Sequence, residues 1–73
     1  MHAENLIKMA NQIGAFFEAM PDHDQAVADT LQHFKNAWEP RMRKALLEYI
    51  ERQGDAELKP IVREAMARLR ASL

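Results

Sequence analysis

The stretch LIKMANQIGAFFEAMPD, Leu6–Asp22, decides how this chain folds. Its apolar residues recur at helical spacing and cover about 180° of the helix circumference, whereas an ordinary surface helix has a stripe of ~100°. We predict a helix from Ala3 to Met20, because Pro21 cannot continue the hydrogen-bond ladder. The chain therefore begins with a helix that carries an unusually wide apolar face.

Two explanations of this wide face remain open from the sequence. A small bundle could bury the helix centrally, or a partner protein or second copy could cover one flank, which would otherwise be an exposed apolar surface. Phe16 and Phe17 lie ~100° apart on a helix, so one can point inward while the other points elsewhere. Gly14 costs about 1 kcal/mol relative to Ala inside a helix, and such a glycine often marks a close approach by another backbone.

Three further segments have helical spacing and helical boundary signals. The second runs from about Asp24 to between Asn36 and Trp38, with Asp22 or Asp24 as its N-cap. The third begins at Pro40 and ends at Gln53 before Gly54, a glycine suited to left-handed geometry. The fourth runs from about Pro60 to Ala71.

No segment alternates like a strand, so we predict an all-α fold, a small bundle of three to four short helices in one domain, residues 1–73. The predicted inward faces comprise Val27, Thr30, Leu31, Phe34, Trp38, Met42, Ala45, Leu46, Tyr49, Ile50, Ile61, Val62, Ala65, Met66, Leu69 and Leu73.

Composition excludes several classes of protein. The chain has 73 residues and no cysteine, which rules out a disulfide framework, a thiolate zinc site and a thiol nucleophile. A chain this short buries only ~60% of its unfolded surface, so an independent enzyme is disfavoured. Its net charge of −1 gives no general attraction to nucleic acid, and no apolar run is long enough for a membrane span. The N-terminal stretch lacks the features of a secretory signal, so we expect a cytoplasmic protein.

The polar residues form no recognisable catalytic or metal set. His2, His23 and His33 lack the spacing of metal ligands, and the only serine is Ser72 near the end of the last helix. We therefore predict no catalytic, cofactor-binding or metal-binding residue and no bound cofactor.

A second informative stretch is WEPRMRKALL, Trp38–Leu47. Arg41, Arg43 and Lys44 occupy the first turn of the third helix, where the helix dipole is already positive. This basic turn is either a solvated surface beside a packed tryptophan, partly neutralised by Glu39, or a docking point for an acidic surface or a phosphate-bearing group. Tryptophan and arginine are enriched at binding hot spots, which favours protein over nucleic acid as the partner.

Together, Leu6–Asp22 and Trp38–Leu47 resemble the small delta subunit of bacterial NAD-dependent, molybdenum-containing formate dehydrogenases. The resemblance implies a non-catalytic subunit or assembly factor that accompanies a cytoplasmic enzyme and supports its active, cofactor-loaded state. In that enzyme the large subunit carries the molybdenum centre and iron–sulfur clusters, and formate is oxidised to carbon dioxide as NAD is reduced. The resemblance thus implies that the large, molybdenum-containing subunit is the partner.

We interpret the two unusual features as contact surfaces for that partner. The alternative function is a self-associating helical adaptor unrelated to formate oxidation, and an isolated delta subunit could also form a homodimer. A nucleic-acid-binding role rests only on the basic turn and is less favoured. The residues predicted to bind the partner are Met9, Phe16, Phe17, Trp38, Glu39, Pro40, Arg41 and Arg43.

Overall fold

The computed structural model describes residues 2–73 and contains four helices. They are α1, Ala3–Phe17, α2, His23–Ala37, α3, Pro40–Gln53, and α4, Pro60–Ala71. No strand occurs within residues 2–73, so the predicted all-α bundle is confirmed, with four helices.

The helix boundaries follow from local chemistry. Asp22 caps α2, since its Oδ1 accepts a hydrogen bond from the Gln25 N–H at 3.2 Å. Pro40 and Pro60 each occupy the first helical position, as predicted. Gly54 ends α3 with φ of 85° but ψ of −177°, so the positive φ is confirmed while ψ lies far from left-handed helical geometry.

The first helix ends at Phe17, three residues before the predicted end at Met20. An α-helix would require Pro21 to donate a hydrogen bond to the Phe17 carbonyl, but proline has no N–H. The Met20 N–H donates to this carbonyl instead, at 3.0 Å, which tightens the last turn.

The core lies mainly between α2 and α4, which pack against each other more extensively than any other pair of helices. Most predicted inward residues of these helices are buried, whereas Leu31 is half-buried and Leu73 is 87% exposed. Leu58, in the loop before α4, is buried although no periodic pattern predicted it. The buried apolar residues are Leu6, Ile7, Ala10, Ala26, Val27, Phe34, Trp38, Leu46, Leu47, Leu58, Ile61, Val62, Ala65, Met66 and Leu69.

Two features hold α1 against the start of α4. A Cβ added at Gly14 would lie 2.6 Å from Val62 Cγ2, so the glycine permits close approach to side chains of α4 rather than to a neighbouring backbone. The Asn11 amide donates to the Glu57 carbonyl and accepts from the Lys59 N–H, each at 2.9 Å. These contacts fix one side of α1 and leave its Met9–Phe16 side facing away from α4.

Candidate protein-binding groove

An apolar groove of about 580 Å³ lies between α1, the end of α2 and the start of α3. It brings together residues from both stretches that the sequence singled out, the wide face of α1 and the region around Trp38. Four of the predicted partner-binding residues, Met9, Phe16, Phe17 and Trp38, line it. The full lining is Met9, Gln12, Ile13, Phe16, Phe17, His33, Ala37, Trp38 and Met42.

The outer wall of the groove is the flank of α1 that the bundle leaves open. Met9 is 40% exposed and Phe16 is 76% exposed, whereas Phe17 is half-buried. The Phe16 ring meets the Phe17 ring edge-on at 5.0 Å, and Phe17 in turn contacts His33 of α2 at 5.8 Å between ring centroids. The two phenylalanines therefore diverge as expected, and the bundle alone does not enclose α1.

Trp38 anchors the floor of the groove. It is only 5% exposed, and its ring packs edge-on against Phe34 with centroids 4.7 Å apart. Trp38 is the C-cap residue of α2, and its backbone N–H donates to the Phe34 carbonyl at 3.1 Å. Trp38 is therefore a core residue that also contributes to the surface of the groove.

The lining carries no aspartate, glutamate, lysine or arginine. Its polar side-chain groups are the Gln12 amide on α1, the His33 ring on α2 and the single indole N–H of Trp38. The groove is therefore suited to an uncharged apolar occupant, because a charged group buried there would have no opposite charge to pair with.

The basic turn is not arranged as a single cluster of free cations. Arg43 points back to the end of α2, where its Nη1 lies within hydrogen-bond distance of three carbonyls, those of Trp38 at 2.6 Å, Phe34 at 3.2 Å and Lys35 at 3.3 Å. Arg41 is largely exposed and pairs with Glu39 at 3.6 Å. Arg43 thus has an intramolecular capping role that sequence reasoning missed.

Four of the predicted residues lie outside the lining of the apolar groove. They are Glu39, Pro40, Arg41 and Arg43. Pro40 and Arg43 border a separate depression of about 250 Å³ that also involves Lys44, Leu47, Leu69 and Leu73. The sequence suggested one continuous docking point around Trp38, but the structure divides that stretch between the groove and this second surface.

Five lining residues were not predicted as partner contacts. Ile13 and Met42 lie on the apolar faces of their helices, so periodicity could have identified them. Gln12, His33 and Ala37 had no such signal, because only the packing of α2 beside α1 brings them into the groove. The five are Gln12, Ile13, His33, Ala37 and Met42.

Among residues 2–73, no group of three or more histidine, aspartate or glutamate side chains is placed to hold a metal ion. Desolvation, together with the charge and hydrogen bond of Glu57, raises the pKa of Tyr49 above its ordinary value of 10.0. The Tyr49 hydroxyl donates to Glu57 Oε1 at 3.3 Å, outside the groove. In the same part of the chain, no helix has the length and apolar character needed to cross a membrane.

Comparison with known families matches residues 5–66 to the family described as "NADH-dependant formate dehydrogenase delta subunit FdsD". The chain belongs to this delta-subunit family. The matched region begins within α1 and extends into α4, so it includes every residue of the apolar groove. No curated protein and no solved structure matches the chain.

Membership confirms the resemblance seen in the two sequence stretches. The FdsD family name identifies its members as subunits of formate dehydrogenase, which implies association with the other subunits of that enzyme.

Proposed function

We propose that this chain is a non-catalytic delta subunit that binds the molybdenum-containing large subunit of a cytoplasmic formate dehydrogenase through the apolar groove. Binding supports the active, cofactor-loaded state of the enzyme. The observation that carries the proposal is the groove itself, an apolar surface left open by a chain whose family consists of enzyme subunits.

The exposed wall of the groove supports a protein contact. Phe16 is 76% exposed and lies on the same flank of α1 as Met9, so the isolated chain presents large apolar side chains to water. Contiguous exposed apolar surface of this kind marks interaction sites in soluble proteins. A partner that covered Met9 and Phe16 would remove their apolar area from water at about 25 cal/mol per Å².

The chemistry of the lining favours protein over cofactor as the occupant. A molybdenum cofactor that contains a dinucleotide carries phosphate groups, which proteins bind with arginine, lysine or helix N-termini. The groove lining contains neither lysine nor arginine. We therefore propose that the chain acts on cofactor loading indirectly, by stabilising the large subunit.

Arg41, Glu39 and Pro40 form a second proposed contact at the start of α3. Arg41 is 80% exposed in its side chain and held only by Glu39, so it is available to an acidic partner surface. Charged residues at an interface rim mainly affect association rate and specificity. Arg43 was predicted to share this role, and its contribution is expected through its support of the α2–α3 corner.

Co-purification from a host that lacks its own copy of this chain tests the proposal. Phe16→Asp places a charge in the groove wall and should reduce recovery of formate dehydrogenase about tenfold or more, as expected for a hot-spot residue. Leu73→Asp is the matched control, because Leu73 is similarly exposed but lies outside the groove, and it should co-purify normally. Arg41→Glu should give a smaller loss.

Circular dichroism should be the same for all three variants, since each substitution is at an exposed position. Normal recovery of the enzyme with folded Phe16→Asp would contradict the groove as the binding site. Loss of binding with Leu73→Asp alone would move the contact to the second depression.

The supporting role is tested separately from binding. Formate dehydrogenase produced without this chain should contain less molybdenum and have lower formate-oxidising activity per large subunit than enzyme produced with it. If the enzyme produced without this chain had the same molybdenum content and activity as the enzyme produced with it, the proposed supporting role would be wrong.

Self-association is the competing function, since the open groove could also contact a second copy. A mass that rises with concentration in sedimentation experiments, and that Phe16→Asp returns to the monomer, would support it. Self-association that persists in the presence of the large subunit and prevents co-purification would replace the proposal.

A further inference from the structure

We propose that the occupant of the apolar groove is the uncharged apolar face of an amphipathic α-helix of the large subunit. This inference rests on the proposed function and specifies the partner element that the groove accepts. It follows from the hydrogen-bonding capacity, charge and length of the groove.

The hydrogen-bonding capacity of the groove favours a helix over an extended segment. Its walls are mostly helical, and within a helix the backbone groups are bonded internally. At the end of α2, where carbonyls are normally free, Arg43 lies within bonding distance of those of Phe34, Lys35 and Trp38. Gln12, His33 and the single indole N–H of Trp38 are the polar side-chain groups of the lining, too few to pair the backbone of an extended segment.

An extended peptide in this groove would bury backbone N–H and C=O groups without partners, and each unpaired group has a substantial free-energy cost. A helix satisfies its own backbone and presents only side chains. The groove therefore accepts a helix more readily than a strand, as in other complexes in which an apolar helix face fills a groove.

The charge of the groove restricts which face of the helix enters. Because no lysine, arginine, aspartate or glutamate lines it, the inserted side chains are uncharged. Their polar neighbours on the partner helix would face solvent or the Glu39–Arg41 pair, which is exposed at the adjoining corner.

The length of the groove sets the number of anchors. On α1 the lining extends from Met9 to Phe17, which corresponds to about 12 Å at the helical rise. Two turns of a partner helix lying along α1 match this length, with apolar anchors at about i, i+3 or i+4, and i+7.

Photocrosslinking from two points of the same wall tests the inference in the purified formate dehydrogenase complex. The variants are Met9→p-benzoylphenylalanine and Phe16→p-benzoylphenylalanine, with Leu73→p-benzoylphenylalanine as the control outside the groove. Met9 and Phe16 are separated by about 10 Å along α1. The crosslinked partner residues, identified by mass spectrometry, should lie about seven positions apart in one segment of the large subunit if that segment is helical.

An extended segment would instead give crosslinks about three positions apart, because a strand rises ~3.3 Å per residue. That spacing would overturn the helix while leaving the large subunit as partner. Crosslinks only to a second copy of this chain, or none from Met9 and Phe16 in an intact complex, would overturn both the helix and the groove as the enzyme-binding site.

Proline substitution gives a second measurement on the crosslinked segment. Replacing a solvent-facing residue in its middle by proline should weaken the complex about tenfold or more, because proline breaks a helix interior. Alanine at the same position should change affinity less than about threefold. Equal affinities for the proline and alanine variants would overturn the inference.

Discussion

The packing between α2 and α4 differs sharply from the packing on the open flank of α1. Between α2 and α4, Phe34, Val27 and Val62 are all completely buried. Polar contacts link the same two helices at their exposed edges, where Arg68 pairs with Asp24 at 3.4 Å and His23 Nε2 lies 2.5 Å from Glu64 Oε2. On the flank of α1, by contrast, Met9 and Phe16 remain exposed.

The difference shows that similar apolar residues serve two purposes in this chain. Phe34 is surrounded by the bundle and stabilises it, whereas Phe16 contributes its area to a surface that the bundle does not cover. A domain of this size has a free energy of unfolding of about 4–11 kcal/mol by the usual per-residue range. The α2–α4 contact is the most extensive in the bundle, whereas the exposed side chains of the α1 flank add apolar area that the bundle does not bury.

The largest expected effect separates the two phenylalanines. Phe34→Ala should lower the free energy of unfolding by about 3–5 kcal/mol, because it leaves a cavity in the core. Phe16→Ala should change it by less than about 0.5 kcal/mol, since its side chain is already in water. Urea denaturation of the isolated chain measures both values. Comparable losses for the two variants would remove the distinction between core and flank.

Arg43→Met tests the corner that joins α2 to α3, at the edge of the groove. We expect a loss of about 1.5–3 kcal/mol in the free energy of unfolding, because carbonyls at the end of α2 lose a charged donor. Arg43→Lys should retain only part of this stability in thermal and urea denaturation, since lysine lacks the planar guanidinium group with its several N–H donors.

Arg41→Met is the matched control for that experiment. Arg41 is exposed and makes only a surface ion pair with Glu39, so the change should be within about 0.5 kcal/mol. If Arg41→Met destabilised the chain as much as Arg43→Met, general charge effects rather than capping would explain the result.

Gly14→Ala tests how closely α1 is held to α4. The added methyl would lie 2.6 Å from Val62 Cγ2, and a β-branched side chain in a helix has little rotamer freedom with which to move. Overpacking of about 1–3 kcal/mol should outweigh the gain of about 1 kcal/mol in helix propensity. Denaturation should therefore give a net loss of up to about 2 kcal/mol.

Val62→Ala supplies the control for Gly14→Ala. In the double variant the closest contact, with Val62 Cγ2, is removed and the milder one with Ile61 Cγ2 at 3.1 Å remains, so the combined loss should be smaller than the sum of the two single losses. Additive losses would mean that the close approach of Gly14 to Val62 does not limit the packing of α1.

The smallest expected effect concerns Tyr49, which lies away from both compared regions. Desolvation and Glu57 raise its pKa, so tyrosinate should form above pH 10.0, and Glu57→Gln should move the titration back towards that value. Ultraviolet absorbance reports it directly, because the chain has one tyrosine. Because the pKa of Tyr49 is higher in the folded chain, the protonated hydroxyl stabilises the folded state. This contribution to the free energy of unfolding is fully present below pH 10.0 and is lost as pH rises through the folded-state pKa. An unchanged titration in Glu57→Gln would leave desolvation as the sole cause.

Sequence patterns predicted the helices well because their signals are local. Pro40 and Pro60 fix helix starts through their own φ angles, and Asp22 caps α2 through a bond to a residue three positions away. The end of α1 was predicted less well, because the response to Pro21 was a tighter turn at Phe17 rather than a helix that continued to Met20.

The candidate site was only partly predictable. Met9, Phe16 and Phe17 were identified from the width of the apolar face, which a sequence displays directly. His33 and Ala37 lie on the neighbouring helix, and their membership of the groove depends on the packing of α2 beside α1. Arg43 was assigned to a partner because nothing in its local sequence indicates that it turns back to the carbonyls of α2.

The sequence by itself therefore determined an all-α chain with one helix whose apolar face is wider than a surface helix requires. Periodicity, capping and proline geometry act within a few residues, so these properties can be found without coordinates. Only the tertiary structure decided which part of that face stays open, because the answer depends on the side chains that other helices bring to α1. Gly14 and Asn11 hold one side of α1 against α4 and its preceding loop, and the opposite side, with Met9 and Phe16, becomes the wall of the groove.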